Sequence, residues 1–360
     1  MLKRVFFSSM FILIAVVVIA ALPRVSNPEP ASQTELDRAK FNSDAIEAVW
    51  PAPKAGDRIR SRMILRGEKV IFEDGPIDLI MNTHSMRKSV LSILYGIAVD
   101  KGLIDLDKTL HELAIDEVTP LTEQEKTATI RDLLMFRSGI YLPAAGEHDS
   151  QITDRPKRGQ HKPNEYFFSN NFDANALGTI FTQETGYQIG IFMDTYLAKP
   201  LGMQDFNADN VIMGDPWFWP SKNTLHLQYY MYLSTRDFAR IGAMIAQGGR
   251  WNGKQIVSQD WIALSTAQHS DLTDNHIKYT VYDGAGYLWW LDSKNGRIWT
   301  DGYGGHFMLI DPVRDITIIE RNFTGNSYLS TLRWLKSDNK FSHTRSGLGA
   351  AHKVLIENLE

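Results

Sequence analysis

The sequence predicts an α/β (α+β) fold in which one sheet is assembled from both ends of the chain and a largely helical insertion separates its two parts. Three observations point there. Strand-like runs stand near the N-terminus, at 58–65 and 70–72, with Arg66-Gly67-Glu68 between them as a turn. The middle of the chain, about 107–267, is helical and rich in loops. Residues 286–291, 297–300, 306–310 and 316–320 then read as consecutive strands that complete the sheet. The cleft between sheet and insertion is the natural ligand site. The expected organisation is a leader and linker over 1–34, a main domain over 35–345 and a C-terminal helix over 346–360. Within the main domain the sheet parts fall at about 50–106 and 268–345.

The helices carry their own punctuation. From Ser85 onward, Met86, Val90, Ile93, Leu94, Ile97 and Ala98 recur at helical spacing, and Lys101-Gly102 supplies a cationic last turn and a stop. Thr129-x-x-Asp132 is a capping box for a helix over 130–137, and Ser234-x-x-Asp237 does the same for 238–247. Residues 329–336 and 350–359 read as helices packing on the sheet.

Bulk composition narrows the function. The chain has 360 residues, 43% hydrophobic and 22% charged, which excludes wholesale disorder and multi-span membrane classes. Net charge is −4 with no long basic run, so a nucleic-acid surface is unsupported and a small-molecule partner fits better. The absence of cysteine removes disulfides, thiolate metal sites, cysteine nucleophiles and a lipoprotein anchor. Lys3 and Arg4 precede an apolar run from Val5 to Leu22 with the layout of a signal sequence. The run is about long enough to span a bilayer, so a cleaved signal and an uncleaved anchor stay open. Export is expected either way, with membrane contact through this segment if it is uncleaved.

The chemistry centres on Ser85-Met86-Arg87-Lys88 at a helix start. Residues three apart share a helix face, so the Lys88 amine can reach the Ser85 hydroxyl, and the helix N-terminus favours developing negative charge. A lysine desolvated in a cleft can be neutral enough to activate an otherwise inert serine.

Several motifs then follow in order. His84 to Ala98 with Gly102-Leu103-Ile104-Asp105 resembles the nucleophile helix and following turn of the penicillin-recognising serine hydrolases. That superfamily includes class C β-lactamases, DD-peptidases, related esterases and 6-aminohexanoate-dimer hydrolases. Residues 130–139 are similar to its "RDLL-x-x-x-SG" segment, 233–242 to its "S-x-RD-x-AR-x-G" helix, and 248–257 to its "GG-x-W-x-G-x-x-IV" turn. The resemblance covers about 57–325 and implies a β-lactamase-like fold, an antiparallel sheet flanked by helices with a helical insertion. It also implies an acyl-enzyme on Ser85 with Lys88 as base, acting on a small ester, amide or peptide-like substrate. No metal or organic cofactor is implied.

The same resemblance assigns the remaining site residues. Gly302-Tyr303-Gly304-Gly305-His306 stands where the family has Lys-Thr-Gly or His-x-Gly, so Tyr303 takes the place of a cation. Gly304 and Gly305 would let substrate approach the backbone. The backbone N–H groups of Ser85 and His306 would form the oxyanion hole. The family's Tyr-x-Asn falls on Ser169-Asn170-Asn171 without a gap, or on Phe168-Ser169-Asn170 one residue earlier. The gapless register keeps Asp173 and Asn175 in place. Neither supplies a phenol, and Tyr166 and Tyr303 are the nearest substitutes. The rivals to an ester or amide hydrolase are therefore a β-lactamase or DD-peptidase, and a catalytically weak or silent binding or sensory protein.

Weaker features complete the list. Trp217-Phe218-Trp219-Pro220 and Tyr229-Tyr230-x-Tyr232 are either pocket or core. One ring of Trp289-Trp290 should face the core by strand alternation. His148, Asp149 and His161 lack metal-ligand spacing and read as solvated loop residues.

Overall fold

Gly67, at φ 59°, closes a hairpin between β1 (Arg60–Arg66) and β2 (Lys69–Asp74) in the computed structural model. The structure describes residues 43–52, 59–214, 224–273, 281–325 and 345–359. The apolar run Val5–Leu22, the cluster at 217–220 and the expected helix at 329–336 lie outside the described residues. Among the described residues no helix is long and apolar enough to cross a membrane.

Six later strands join the hairpin: β3 (Ser270–Asp271), β4 (Gly284–Ala285), β5 (Trp290–Asp292), β6 (Arg297–Gly302), β7 (His306–Asp311) and β8 (Ile316–Asn322). The order is β2-β1-β8-β7-β6-β5-β4-β3, and every neighbouring pair is antiparallel. This is the antiparallel sheet drawn from both chain ends that the sequence implied. Residues 286–289, expected as part of a strand, form a turn instead. Their N–H groups are taken elsewhere, Tyr287 donating to Ser265 O and Leu288 to Leu134 O, with Leu288 at φ 62°.

All seven residues of β8 are buried, which requires cover on both faces. Helices α1 (Met86–Asp100), α2 (Ile130–Leu134), α3 (Asp149–Thr153), α4 (Asn171–Thr185), α5 (Thr235–Ala246) and α6 (Arg345–Leu359) follow in chain order. α5 packs on β1, β7 and β8, and α6 on β7 and β8. Thr317 faces α5 through Gly242, whereas Glu320, of opposite parity, accepts a hydrogen bond from Trp50. α1 is buried from Met86 to Ala98, enclosed all round as a central helix is, with Arg87, Lys88, Ser89 and Ser92 among its buried residues. The Thr129–Asp132 capping box forms, but α2 stops short of 137 because Phe136 turns to φ 54°. A small sheet of Met81–Asn82, Tyr229–Leu233 and Val211–Met213 stands ahead of α1.

The contact of α5 with the sheet leaves no room for a side chain at Gly242. A Cβ there would lie 2.5 Å from Thr317 Cγ2 and 2.7 Å from Met308 Sδ. Gly242→Ala should therefore cost about 1–3 kcal/mol in urea unfolding through overpacking. An unchanged unfolding midpoint would contradict this packing.

Candidate active site

Ser85 stands at a sharp turn between the strand Met81–Asn82 and α1. It occupies the N-cap position at φ −68°, ψ −17°, and its side chain makes no capping bond, so the hydroxyl is left to the cleft it lines. His84 before it takes φ 48°, a strained value for a residue with a Cβ. Two bonds hold that strain: the His84 N–H donates to Asn82 Oδ1 at 2.9 Å, and ring Nε2 pairs with Thr324 Oγ1 at 2.7 Å. One helical turn on, Lys88 is 8% exposed. Its Nζ donates to Asn171 Oδ1 at 2.9 Å and lies 5.6 Å from the centre of the Phe136 ring. Burial above all, then the Arg87 charge, lowers the Lys88 pKa to about 7, against opposing effects of Asp301 and Asp173.

The second motif is organised by the cap of α4. Asn170 is the N-cap; its Oδ1 accepts from the Asp173 N–H and its Nδ2 donates to Phe168 O. Its side chain is therefore committed to the backbone, and Asn171 is the amide that meets Lys88. Ser169 lines the cleft with Ser85 and Lys88, whereas Phe168 is buried against Tyr141. The structure thus brings Ser85, Lys88, Ser169 and Asn171 together. Asn171 Nδ2 donates to the carbonyls of Ala145 and Gly146, and Asn175 Nδ2 to Ala145 O at 3.1 Å. On α3, Gln151 Nε2 donates to Ser169 O at 3.2 Å. Asp173 accepts from Ser138 Oγ at 2.6 Å, and burial raises its pKa to about 8.

The third motif lies on the β6–β7 hairpin. Gly302 packs on the turn before Ser85, where a Cβ would come within 2.7 Å of Thr83 O and 3.2 Å of His84 Cβ. Gly304 and Gly305 turn the chain at φ 91° and 85°. Tyr303 is exposed, set edge-on to His84 with ring centres 6.0 Å apart, and is not among the residues lining the cleft. Thr300 and Asp301 of β6 form that wall instead. His306, at the start of β7, is fully buried. Its Nδ1 accepts from Arg321 Nε at 2.8 Å, and burial, then Arg321 and His84, keep the ring neutral. Arg321 Nη2 also donates to Met81 O at 3.0 Å and Asn82 O at 3.1 Å. One guanidinium thereby fastens the start of β7 to the strand that leads into Ser85, the two elements carrying the expected oxyanion donors. The Ser85 N–H makes no hydrogen bond among the described residues.

No tyrosine is among the described residues that line the cleft. Tyr166 stacks on His161 at 4.4 Å, in a separate surface hollow. Tyr229 and Tyr232 are core, and Trp289, although buried, lines the cleft together with Trp290. His148, expected as a solvated loop residue, is exposed as expected and also lines the cleft with Lys88 and Asp301. No motif marks it; its placement depends on carbonyls at 145 and 146, which sequence does not expose. Among the described residues no group of His, Asp and Glu is arranged to hold a metal ion.

Comparison with known proteins bears on the family and the fold. A family model described as Beta-lactamase matches residues 64–319. A 6-aminohexanoate-dimer hydrolase of Paenarthrobacter ureafaciens is 24% identical over 289 residues, covering 72% of this chain and 71% of that protein. A family VIII carboxylesterase superposes with a TM-score of 0.60 at 16% identity, over 90% of this chain and 98% of the other. The D-amino acid amidase of Ochrobactrum anthropi SV3, complexed with L-phenylalanine amide, gives 0.60 at 14% identity, over 89% and 100%. With most of its length matched by that model, the chain belongs to the beta-lactamase family.

Proposed function

We propose that this protein hydrolyses a small ester or amide through an acyl-enzyme on Ser85, with Lys88 as the base. The observation that carries the reading is the buried Lys88 amine, its pKa lowered to about 7, held by Asn171 on the helix face it shares with Ser85. Ser85 Oγ attacks the carbonyl carbon as Lys88 takes its proton, and the N–H groups of Ser85 and His306 receive the oxyanion. Collapse of the intermediate expels the alcohol or amine, and water then releases the acid. Esters and amides are favoured over β-lactams because Tyr303, an exposed neutral side chain, stands where a cation would hold a β-lactam carboxylate. The carboxylesterase and amidase likenesses support the same substrate class. The absence of a phenol among the described residues that line the cleft supports one second reading, a catalytically silent binding protein. Covalent labelling separates the two.

Ser85→Ala should abolish both ester hydrolysis and labelling by a fluorophosphonate while the protein stays folded, since the Ser85 side chain makes no capping bond to lose. For the parent, kcat/KM on a neutral ester should rise with pH through about 7, because a depressed lysine pKa makes the free base available above that value. Lys88→Arg should be inactive at every pH, since guanidinium keeps its proton. Turnover in Ser85→Ala, or near-normal turnover in Lys88→Arg, would remove the corresponding role.

Asn171→Asp offers a signed test of the Lys88 environment. A carboxylate beside the amine favours its charged form and should move the acid limb up by about 1–3 pH units. Activity should fall at pH 7 and recover near pH 9. A limb that does not move would mean that Lys88 is not the titrating base.

A further inference from the structure

Breaking an ester or amide requires more than a base for the serine. The departing oxygen or nitrogen must gain a proton, and the water that later occupies its place must lose one. Among the described residues, the cleft wall carries Lys88, Asp301 and one imidazole, His148, as its ionisable side chains.

His148 is held as a positioned group. The segment before it is pinned by Asn171 and Asn175, which donate to the carbonyls of Ala145 and Gly146. The helix after it is pinned by Gln151, buried and bonded to Ser169 O. Asn171, which meets Lys88, therefore also helps set the place of His148. Ring Nδ1 pairs with Ser150 Oγ at 2.8 Å, while Nε2 has no hydrogen-bond partner among the described residues. In the Nδ1–H tautomer the ring donates to the Ser150 hydroxyl oxygen both as neutral imidazole and as imidazolium, which leaves Nε2 to take up and release a proton. The ring can thus change protonation state without losing its support.

We propose that His148 is a further catalytic residue, the proton carrier between Lys88 and the leaving group, and that this role rests on the reading of Ser85 as nucleophile. In acylation the Ser85 Oγ–C bond forms as the serine proton passes to Lys88 Nζ. The Lys88 ammonium gives a proton to His148 Nε2, directly or through one water. The carbonyl C–O or C–N bond then breaks as the imidazolium protonates the leaving atom, which returns Lys88 and His148 to neutrality. In deacylation His148 Nε2 takes a proton from the attacking water. The imidazolium returns it through Lys88 to Ser85 Oγ as the acyl–serine bond breaks. The balance is substrate plus water to acid plus alcohol or amine.

The charges around the ring suit this traffic. Lys88 on α1 faces it, as do Asp301 on β6 and Glu147 and Asp149 of its own segment. The ring reaches solvent at the cleft mouth. Even so, enclosure by protein, and then the Lys88 charge, lower its pKa below the usual histidine value, against the three carboxylates. Where Lys88 becomes free base, His148 is also neutral and able to accept.

His148→Gln should be compared with the parent on ethyl butyrate and p-nitrophenyl butyrate, which share an acyl group and differ in the leaving group's need for a proton. On ethyl butyrate kcat/KM should fall about 10²–10⁴-fold. On p-nitrophenyl butyrate the fall should be far smaller, and a burst of about one equivalent of p-nitrophenolate should precede slow turnover as the acyl-enzyme accumulates. Equal losses on the two esters, or an undiminished kcat/KM on ethyl butyrate, would overturn the role of His148. Fluorophosphonate labelling of the parent separates the two ideas: a labelled parent with equal ester losses sinks His148 alone, whereas an unlabelled parent sinks the nucleophile and His148 with it. Should His148→Gln fail to fold, Ser150→Ala keeps the imidazole but frees its orientation. It should show the same leaving-group-dependent loss at smaller size, and equal losses there count against the proposal in the same way.

Discussion

The hydrogen bond from Lys88 Nζ to Asn171 Oδ1 organises the surroundings of Ser85. An amine taken out of water normally needs a carboxylate beside it, or it gives up its charge. Here the contact is the dipole of an amide, and the acidic groups that favour the charged form, Asp301 and Asp173, are outweighed by burial. The Asn171 amide is oriented from both ends, because Lys88 can only donate and the Ala145 and Gly146 carbonyls can only accept. Asn171 and Asn175 share a face of α4 at i, i+4 spacing, so one helix face fixes both the amine and the 145–151 segment.

A second buried cation has a different part. Arg321 is fully buried, its pKa lowered to about 9 by burial, and its partners are the ring of His306 and the carbonyls of Met81, Asn82 and Leu233. Such a group offsets its desolvation only when nearly all of its N–H donors are used, which makes its partners unable to drift independently. The strand before Ser85 and the start of β7 are locked to one another by that requirement. The strained His84 survives between them because its ring and its N–H are both bonded.

Much of this was legible in the sequence, and the exceptions have physical causes. The apolar period of α1 and the Ser85–Lys88 spacing survive folding because both depend on local helix geometry. The antiparallel character of the sheet was expected from the family resemblance. Residues 286–289 misled because Leu288 and Trp289 are buried like strand residues, but through a turn whose N–H groups bond to distant carbonyls. α2 is shorter than its sequence pattern because Phe136, an ordinary helix residue by composition, takes a left-handed backbone. Adjacent asparagines left two registers open at 168–171. Residue type does not decide between them; Asn170 is committed to the Asp173 N–H as the cap of α4, and that leaves Asn171 for Lys88. His148 was illegible because what holds its segment is main-chain carbonyls, and these carry no residue identity.

The pairing of β1 with β8 has a consequence in time as well as in space. A strand from residues 60–66 lies in register beside one from residues 316–322, and β1 has β2 on its other edge. On a ribosome the N-terminal hairpin is made early, yet its main neighbour emerges only after the whole helical insertion. Loop closure over such a span is slow, since the entropy of a long chain must be given up before the contact is gained. The half-made chain accordingly carries an open strand edge through most of its synthesis, the condition in which nascent proteins depend on chaperones to avoid pairing with one another.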